Sequence, residues 1–485
     1  MSYCSWIYYV MVIVLLVIYY VIPKQFRWFV LLLGSITFYI QVINSIKQIV
    51  LFGLSILISF FAGLLLQKVR SNENIRIKRT ILFVGIILSV FPLLLNRTVD
   101  FIFGSLIHIT RVSWIVPVGL SFYTLQLIAY LIDVYKGEID AQVNLLKYGL
   151  FVSFFPQIIQ GPIPRYKQLK KELFEGNNYK TENIMSGIQL IIWAFFLKYM
   201  IADKAATIVN EVFDNYHAYS GVYIWIAAFL YSIQLYTDFL SCTTMSQGVA
   251  EMFGIHLVNN FNHPYFSASV KEFWHRWHMS LSFWLRDYIY IPLGGNKNGR
   301  FLKHINLIIT FLVSGLWHGG SWKYVIWGLL HAFYQIVGEV KQEISSRYFL
   351  NKSLLLDKKL LLTLHRIETF IIVMIAWIIF RAESFKASLD IIVSMFTNFN
   401  IWVLFNDSLF ELGLNWKECI VLMISIVILG EVSHLQEKGV KLRNYFSKQN
   451  TVIRWLVYLI AIWTIWIFGS YGFGFDAQDF IYGGF

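Results

Sequence analysis

Charge is what this chain has least of. Only 14% of its 485 residues are charged, against 57% hydrophobic and 18% aromatic, too few to cover a water-soluble fold of this size. Cysteine is almost absent: Cys4, Cys242 and Cys419 lie far apart, so neither a disulfide framework nor a zinc-ligand spacing is present and no metal or redox cofactor is expected. Only eight prolines break the sequence. No internal repeat or low-complexity tract stands out, and no loop is large enough for an independent soluble core. One membrane domain is expected over 1–485, with N-terminal helices at 1–110, a motif-bearing core at 111–340 and C-terminal helices at 341–485.

What is present is long apolar runs. With a mean hydropathy of +0.60, the chain reads as an all-α polytopic membrane protein. Stretches 6–22, 28–44, 49–66, 80–95, 112–132, 185–201, 220–237, 322–338, 361–380, 418–432 and 455–470 are each near the length that crosses a ~30 Å hydrocarbon core, about eleven crossings in all. The first lacks a basic flank and a small-residue cleavage site and is read as a retained transmembrane helix.

The formal net charge of +12 does not point to nucleic acid, because the basic residues recur between apolar stretches instead of forming one patch. Lys24 and Arg27, KVRSNENIRIKR at 68–79, Arg165–Lys171, Arg276–Lys303, Lys341–Lys359 and Lys438–Arg454 mark cytoplasmic loops facing anionic lipid. By the same rule stretch 146–163 has both ends cytoplasmic. Pro156, Gly161, Pro162 and Pro164 supply breaks, so it is predicted to dip in and return against a protein-lined cavity.

Residues 273–300, FWHRWHMSLSFWLRDYIYIPLGGNKNGR, and 314–331, SGLWHGGSWKYVIWGLLH, place histidines in broken hydrophobic sequence. Ionisable groups at bilayer depth are costly and mark functional sites. The apolar run 305–317 has 13 residues after Lys303, roughly 20 Å of helix, and is predicted to stop short of a full crossing. Gly319 and Gly320 then turn the chain, leaving His318 at the tip of a hairpin. A neutral imidazole there suits a general base for a hydroxyl; the alternative is a histidine that hydrogen-bonds between helices beside a Trp317–Trp322 belt.

A helix over 270–290 would align Trp274, His278, Leu281 and Leu285 on one face, with Arg276, Ser280 and Asp287 on another. Two readings stay open: an interfacial anchor, or a helix aiming His278 at the cavity of His318 while Arg276 and Arg286 attract an anionic donor. PLGGNKNGR reads as a glycine-turn loop. Gln234 and Asp238, four residues apart, either orient a histidine or the acceptor or make interhelical hydrogen bonds.

These segments carry a resemblance. PVGLSFYTLQLIAYLIDVYKG at 117–137, FFPQIIQGPIPRY at 154–166, LYSIQLYTDF at 230–239, NNFNHPYFSASVKEFWHRWHMSLSFWLRDYIYIPLGGN at 259–296 and SGLWHGGSWKYVIWGLLH at 314–331 resemble, in order and spacing, the signatures of the membrane-bound O-acyltransferase family. FIYGGF at 480–485 is similar to the ending of its bacterial alginate O-acetylation branch. The resemblance implies a ring of helices with re-entrant segments around a central funnel. It puts the essential histidine at His318 and a second at His278; donor or substrate contacts are expected, from the residues themselves, at Trp274, Arg276, Arg286, Asp238, Gln234 and Trp317. DFLSCTTMS at 238–246 departs from the common DFSGYSDMA, putting Ser241, Cys242, Thr243 and Thr244 where Gly-Tyr-Ser-Asp is usual.

The implied activity is transfer of an acyl group, acetyl foremost, from a cytosolic thioester such as acetyl-CoA to hydroxyls of an extracytoplasmic polysaccharide or an acyl-relay protein. No bound cofactor is expected; the implied location is a bacterial cell membrane, inner or plasma, and the implied partner an SGNH-type relay protein or one resembling the partners of D-alanyl transferases. D-alanyl transfer to teichoic acid and a lipid-linked sugar flippase are the alternatives.

Overall fold

The computed structural model describes residues 2–43, 45–70, 74–99, 101–102, 116–348 and 357–471. Residues 71–73 of the first basic run, 112–115 of the expected fifth crossing, 349–356 of the Lys341–Lys359 stretch and the 480–485 ending lie outside them. The described chain is helical throughout, and no strand occurs among the described residues.

Among the described residues eight helices are long and apolar enough to cross a membrane: Lys24–Val42, Ile46–Lys68, Ile75–Val99, Thr181–Asp214, Gly299–His318, Lys358–Arg381, Trp416–Glu437 and Thr451–Phe468. The expectation of about eleven differs for physical reasons. Trp6–Val21 is apolar but only 16 residues long. Leu120–Lys136 has 17 residues and buries Ser121, Thr124, Gln126 and Asp133. Val222–Met252 and Trp322–Tyr348 are long enough, but polar side chains dilute their hydropathy. Val222–Met252 buries Ser232, Gln234, Thr237, Asp238, Ser241, Thr243, Thr244 and Ser246. A helix surrounded by protein tolerates such residues, and hydropathy counted for lipid contact passes it over.

The chain divides into two compact units, one of residues up to Ile191 together with Cys242–Asn259, the other of Ile192–Ser241 together with Asn260–Ile481. In the first unit the 146–163 segment breaks where its prolines and glycines require. The Leu145–Ser153 helix stops after nine residues, and irregular buried backbone follows to Arg165 before Tyr166–Phe174. Its polar groups are met from neighbouring helices: the Phe155 N–H donates to Ser35 Oγ at 3.1 Å, and the Tyr3 hydroxyl donates to the Phe155 carbonyl at 3.0 Å. Non-helical backbone away from water survives only with such partners.

In the second unit Gly299–His318 and Trp322–Tyr348 form an antiparallel hairpin. A Cβ on Gly315 would strike the Tyr324 carbonyl and one on Gly328 the Phe311 carbonyl, so the two glycines bring the helix backbones into contact. Gly319 has extended backbone; it is required for space, since a Cβ there would run into the Tyr324 ring. Lys303 with Glu339 and Arg300 with Glu343 tie the open end. The first helix corrects the length argument for a half-crossing: it starts at Gly299, not after Lys303, and its 20 residues reach about 30 Å. Arg300, Lys303 and His304 belong to its first turns, where a basic residue does not stop a helix.

Candidate active site

The predicted 270–290 helix is two helices. Val270–Arg276 begins at Ser269, whose side chain accepts from the Glu272 N–H, and ends at Trp277; Met279–Leu285 begins after His278. His278 has φ 41°, in the left-handed region, which for a residue with a Cβ is held only by its surroundings. Asn260 supplies the hold: its carbonyl accepts the Met279 N–H at 2.8 Å and its Oδ1 accepts the Ser280 N–H at 3.2 Å. The kink ends the continuous stripe of Trp274, His278, Leu281 and Leu285 and buries the imidazole among rings. Phe239 lies 4.7 Å away and Trp317 6.0 Å, both edge to face.

His318 closes the Gly299–His318 helix and is 2% exposed. Its ring meets Trp317 at 4.8 Å, Trp327 at 5.2 Å and Phe380 at 5.3 Å. Trp317 therefore touches both candidate histidines, and the two short motifs that carry them, 40 positions apart in sequence, converge on one indole. An imidazole enclosed by aromatic rings and excluded from water can take a proton from a bound hydroxyl.

Beside this cluster lies a cavity of about 560 Å³, whose lining includes Lys271, Trp274, His275, Arg286, Lys303 and Phe311. Neither His278 nor His318 lines it. Four of its side chains are basic or imidazole, and its inner wall of Trp274, Leu307 and Phe311 is apolar. Lys303 is shared with Glu339; Arg286 pairs with the adjacent Asp287 and lies over the Phe283 ring at 4.9 Å. Partial desolvation, with Lys271 and Arg286 nearby, holds the His275 imidazole below its ordinary value. Glu339 also lines it and is paired with Lys303, which leaves Lys271 and Arg286 as basic groups not held by Glu339; a pocket with basic groups among its polar lining and aromatic rings on its apolar wall fits a ligand with a phosphate and an apolar tail.

The other sequence-derived residues separate. Arg276 is turned to carboxylates: it grips Glu437 through two bonds of 2.7 and 3.0 Å, pairs with Glu272 at 2.7 Å, and is not among the cavity-lining residues. Asp238 accepts from Lys198 Nζ at 2.8 Å, and Asp203 lies 3.0 Å from the same ammonium. Gln234 is buried one helical turn from Asp238. Ser241, from the divergent DFLSCTTMS, donates back to the Asp238 carbonyl at 2.7 Å.

Two features have only faint signals in the sequence. One is the Lys198–Asp203–Asp238 cluster, where Lys198 lies within a π-helical turn, Phe196–Ala202; the signal was a lysine inside an apolar run. The other is His331, the last residue of the second motif. It is fully buried, its Nδ1 accepts the Trp274 indole N–H at 3.2 Å, and Trp327 stands 4.9 Å away. The rule that singles out His318, an ionisable group set in hydrophobic sequence, applies to it equally.

Residues 138–380 match the model of MBOAT, the membrane-bound O-acyltransferase family. The chain is 32% identical over 400 residues to a probable alginate O-acetylase of Pseudomonas aeruginosa, spanning 81% of this chain and 74% of that protein. It is 32% identical over 396 residues to a peptidoglycan O-acetyltransferase of Helicobacter pylori, spanning 75% of this chain and 73% of that protein. A teichoic acid D-alanyltransferase of Bacillus subtilis is 31% identical over 261 residues, spanning 51% of this chain and 65% of that protein. Bearing the motifs, the apolar helices and a match over its central half, the chain belongs to the membrane-bound O-acyltransferase family and is a multi-pass membrane enzyme of acyl transfer.

Proposed function

We propose that this enzyme moves an acetyl group from acetyl-CoA, bound at the cytosolic side, to a hydroxyl of an extracytoplasmic polysaccharide, directly or through an acyl-relay protein, in the inner membrane of a bacterium. The observation that carries this reading is the cavity itself: Lys271, His275, Arg286 and Lys303 surround a space that ends on Trp274 and Phe311. The basic groups suit the phosphates of the donor, and the aromatic end suits the thioester arm. Beyond Trp274, Trp327 stands 5.7 Å away and in turn meets His318 at 5.2 Å.

In this mechanism His318 takes the proton of the attacking hydroxyl as the oxygen bonds to the thioester carbonyl carbon. Collapse of the tetrahedral adduct expels the thiolate, which receives a proton to leave as the thiol. His278, reached through Trp317, assists by orienting the acceptor or passing that proton.

The relatives named for O-acetyl transfer to alginate and peptidoglycan support an extracytoplasmic polymer as acceptor. D-alanyl transfer from a carrier-protein thioester is the second reading, favoured by the teichoic acid relative over half of this chain. Inverted vesicles given acetyl-labelled coenzyme A or, separately, a D-alanyl carrier protein decide between them. Label reaching polymer or relay protein from acetyl-CoA alone supports the proposal; label from the D-alanyl carrier alone refutes it in favour of the second reading.

A further inference from the structure

The buried His331 has one hydrogen bond, from the Trp274 indole to its Nδ1, and its Nε2 is buried without a partner among the described residues. A neutral imidazole whose Nδ1 accepts carries its proton on Nε2. Leaving that N–H unmet is unfavourable, and an apolar ring would fill the same space without the penalty. What the histidine adds over such a ring is the bond that fixes Trp274.

Trp274 occupies a decisive position. It is 7% exposed, and its visible edge lines the cavity beside Phe311, whose ring lies 5.2 Å away. Its other side packs on His331 at 5.1 Å and on Trp327 at 5.7 Å. The buried part of the cavity wall thus includes an indole pinned from behind by a buried histidine, a ring that limits the space open to an acyl chain on that side.

We propose that Trp274 sets the length of acyl group the enzyme accepts, and that His331 is the positioning residue that holds it in place, confining the donor to a short acyl chain. This rests on the reading of the cavity as the donor site. A longer chain has to displace Trp274 and break its bond to His331, and a smaller side chain at 274 opens the space without touching His318 or His278.

The test is equilibrium binding of two non-reactive thioethers, S-ethyl and S-hexyl coenzyme A, to the purified full-length protein in detergent or nanodiscs. These carry the same phosphopantetheine arm that a carrier-protein donor would present. Wild type is expected to favour S-ethyl over S-hexyl. Trp274→Ala, with Trp274→Leu as the gentler substitute, is expected to shift the hexyl-to-ethyl affinity ratio by roughly tenfold or more, the scale on which a pocket wall discriminates chain length. His331→Phe, which fills the space but accepts no hydrogen bond, is expected to shift the ratio the same way by about threefold, while His331→Gln, which retains an acceptor, stays nearer wild type.

A ratio unchanged in both Trp274 variants overturns the length assignment. A His331→Phe ratio matching wild type, or a His331→Gln ratio equal to that of His331→Phe, overturns the positioning role. If wild type binds neither thioether, the donor reading beneath the inference fails and the inference falls with it, an outcome distinct from S-ethyl binding with an unmoved ratio.

Discussion

Trp317 stands between His278 and His318, 6.0 Å from the first imidazole and 4.8 Å from the second, edge to face with both. One histidine comes from a kink between two seven-residue helices and the other from the end of a 20-residue helix. The indole is their common contact. A site assembled this way depends on the kink as much as on the imidazoles, because a straight helix through 278 would point that side chain elsewhere.

The left-handed backbone of His278 gives a direct test of that dependence. His278→Gly and His278→Ala both remove the imidazole, but only glycine adopts the conformation freely. The glycine variant should be the more stable of the two by about 1 kcal/mol in detergent unfolding, with acyl transfer impaired similarly in both. An alanine variant at least as stable as the glycine one would show that the kink stores no strain.

Arg286 and Arg276 should part company. Arg286 lines the cavity and is half exposed, whereas Arg276 is locked to Glu437 and Glu272. Arg286→Ala should raise the KM for an anionic donor by about fivefold at low salt, with the difference shrinking as salt screens the charge. Arg276→Ala should instead lower stability by about 1–3 kcal/mol by stranding its carboxylates, with KM unchanged in the folded fraction. The assignment is wrong if Arg276→Ala alone moves KM.

His275 should make donor binding pH-dependent. Desolvation, Lys271 and Arg286 keep its imidazole below the ordinary value of 6.5, so it is neutral near pH 7 in the empty protein. A bound phosphate raises that value, so binding takes up a proton and affinity gains as pH falls from about 7.5 toward 5.5. The ligand's own phosphate titrates in part of that range, so the quantity to read is the difference between wild type and His275→Gln. Isothermal titration across the window should show the extra gain in wild type alone; parallel curves would remove His275 from the donor site.

Much of this architecture was legible because a bilayer constrains sequence strongly. Apolar run length gave most spans, and the breakers at Pro156, Gly161, Pro162 and Pro164 marked where the Leu145–Ser153 helix gives way to irregular backbone. Local signals misled where tertiary contacts decide. Helical periodicity through 270–290 gave no hint that Asn260 would cap a second helix at Met279. A basic flank suggests a limit for the hairpin's first helix, although Arg300 and Lys303 lie inside it. The cavity was hidden for the same reason: Trp274 and Lys303 become neighbours only when the hairpin packs on the 270–276 helix. His318 does close its helix and is buried within the protein, though on a longer helix than the basic flank suggests, while His331, in an uninterrupted helix with no turn beside it, offers only its residue type.

The central claim is that His318 performs the proton transfer. The most direct measurement is acetyl transfer by His318→Ala in reconstituted vesicles, with insertion and thermal unfolding followed on the same preparation. Loss of a general base should cut the rate by about 10²–10⁴-fold in variant protein that inserts and is shown folded by its unfolding transition. A folded, inserted His318→Ala protein that transfers acetyl at near the wild-type rate would contradict the account.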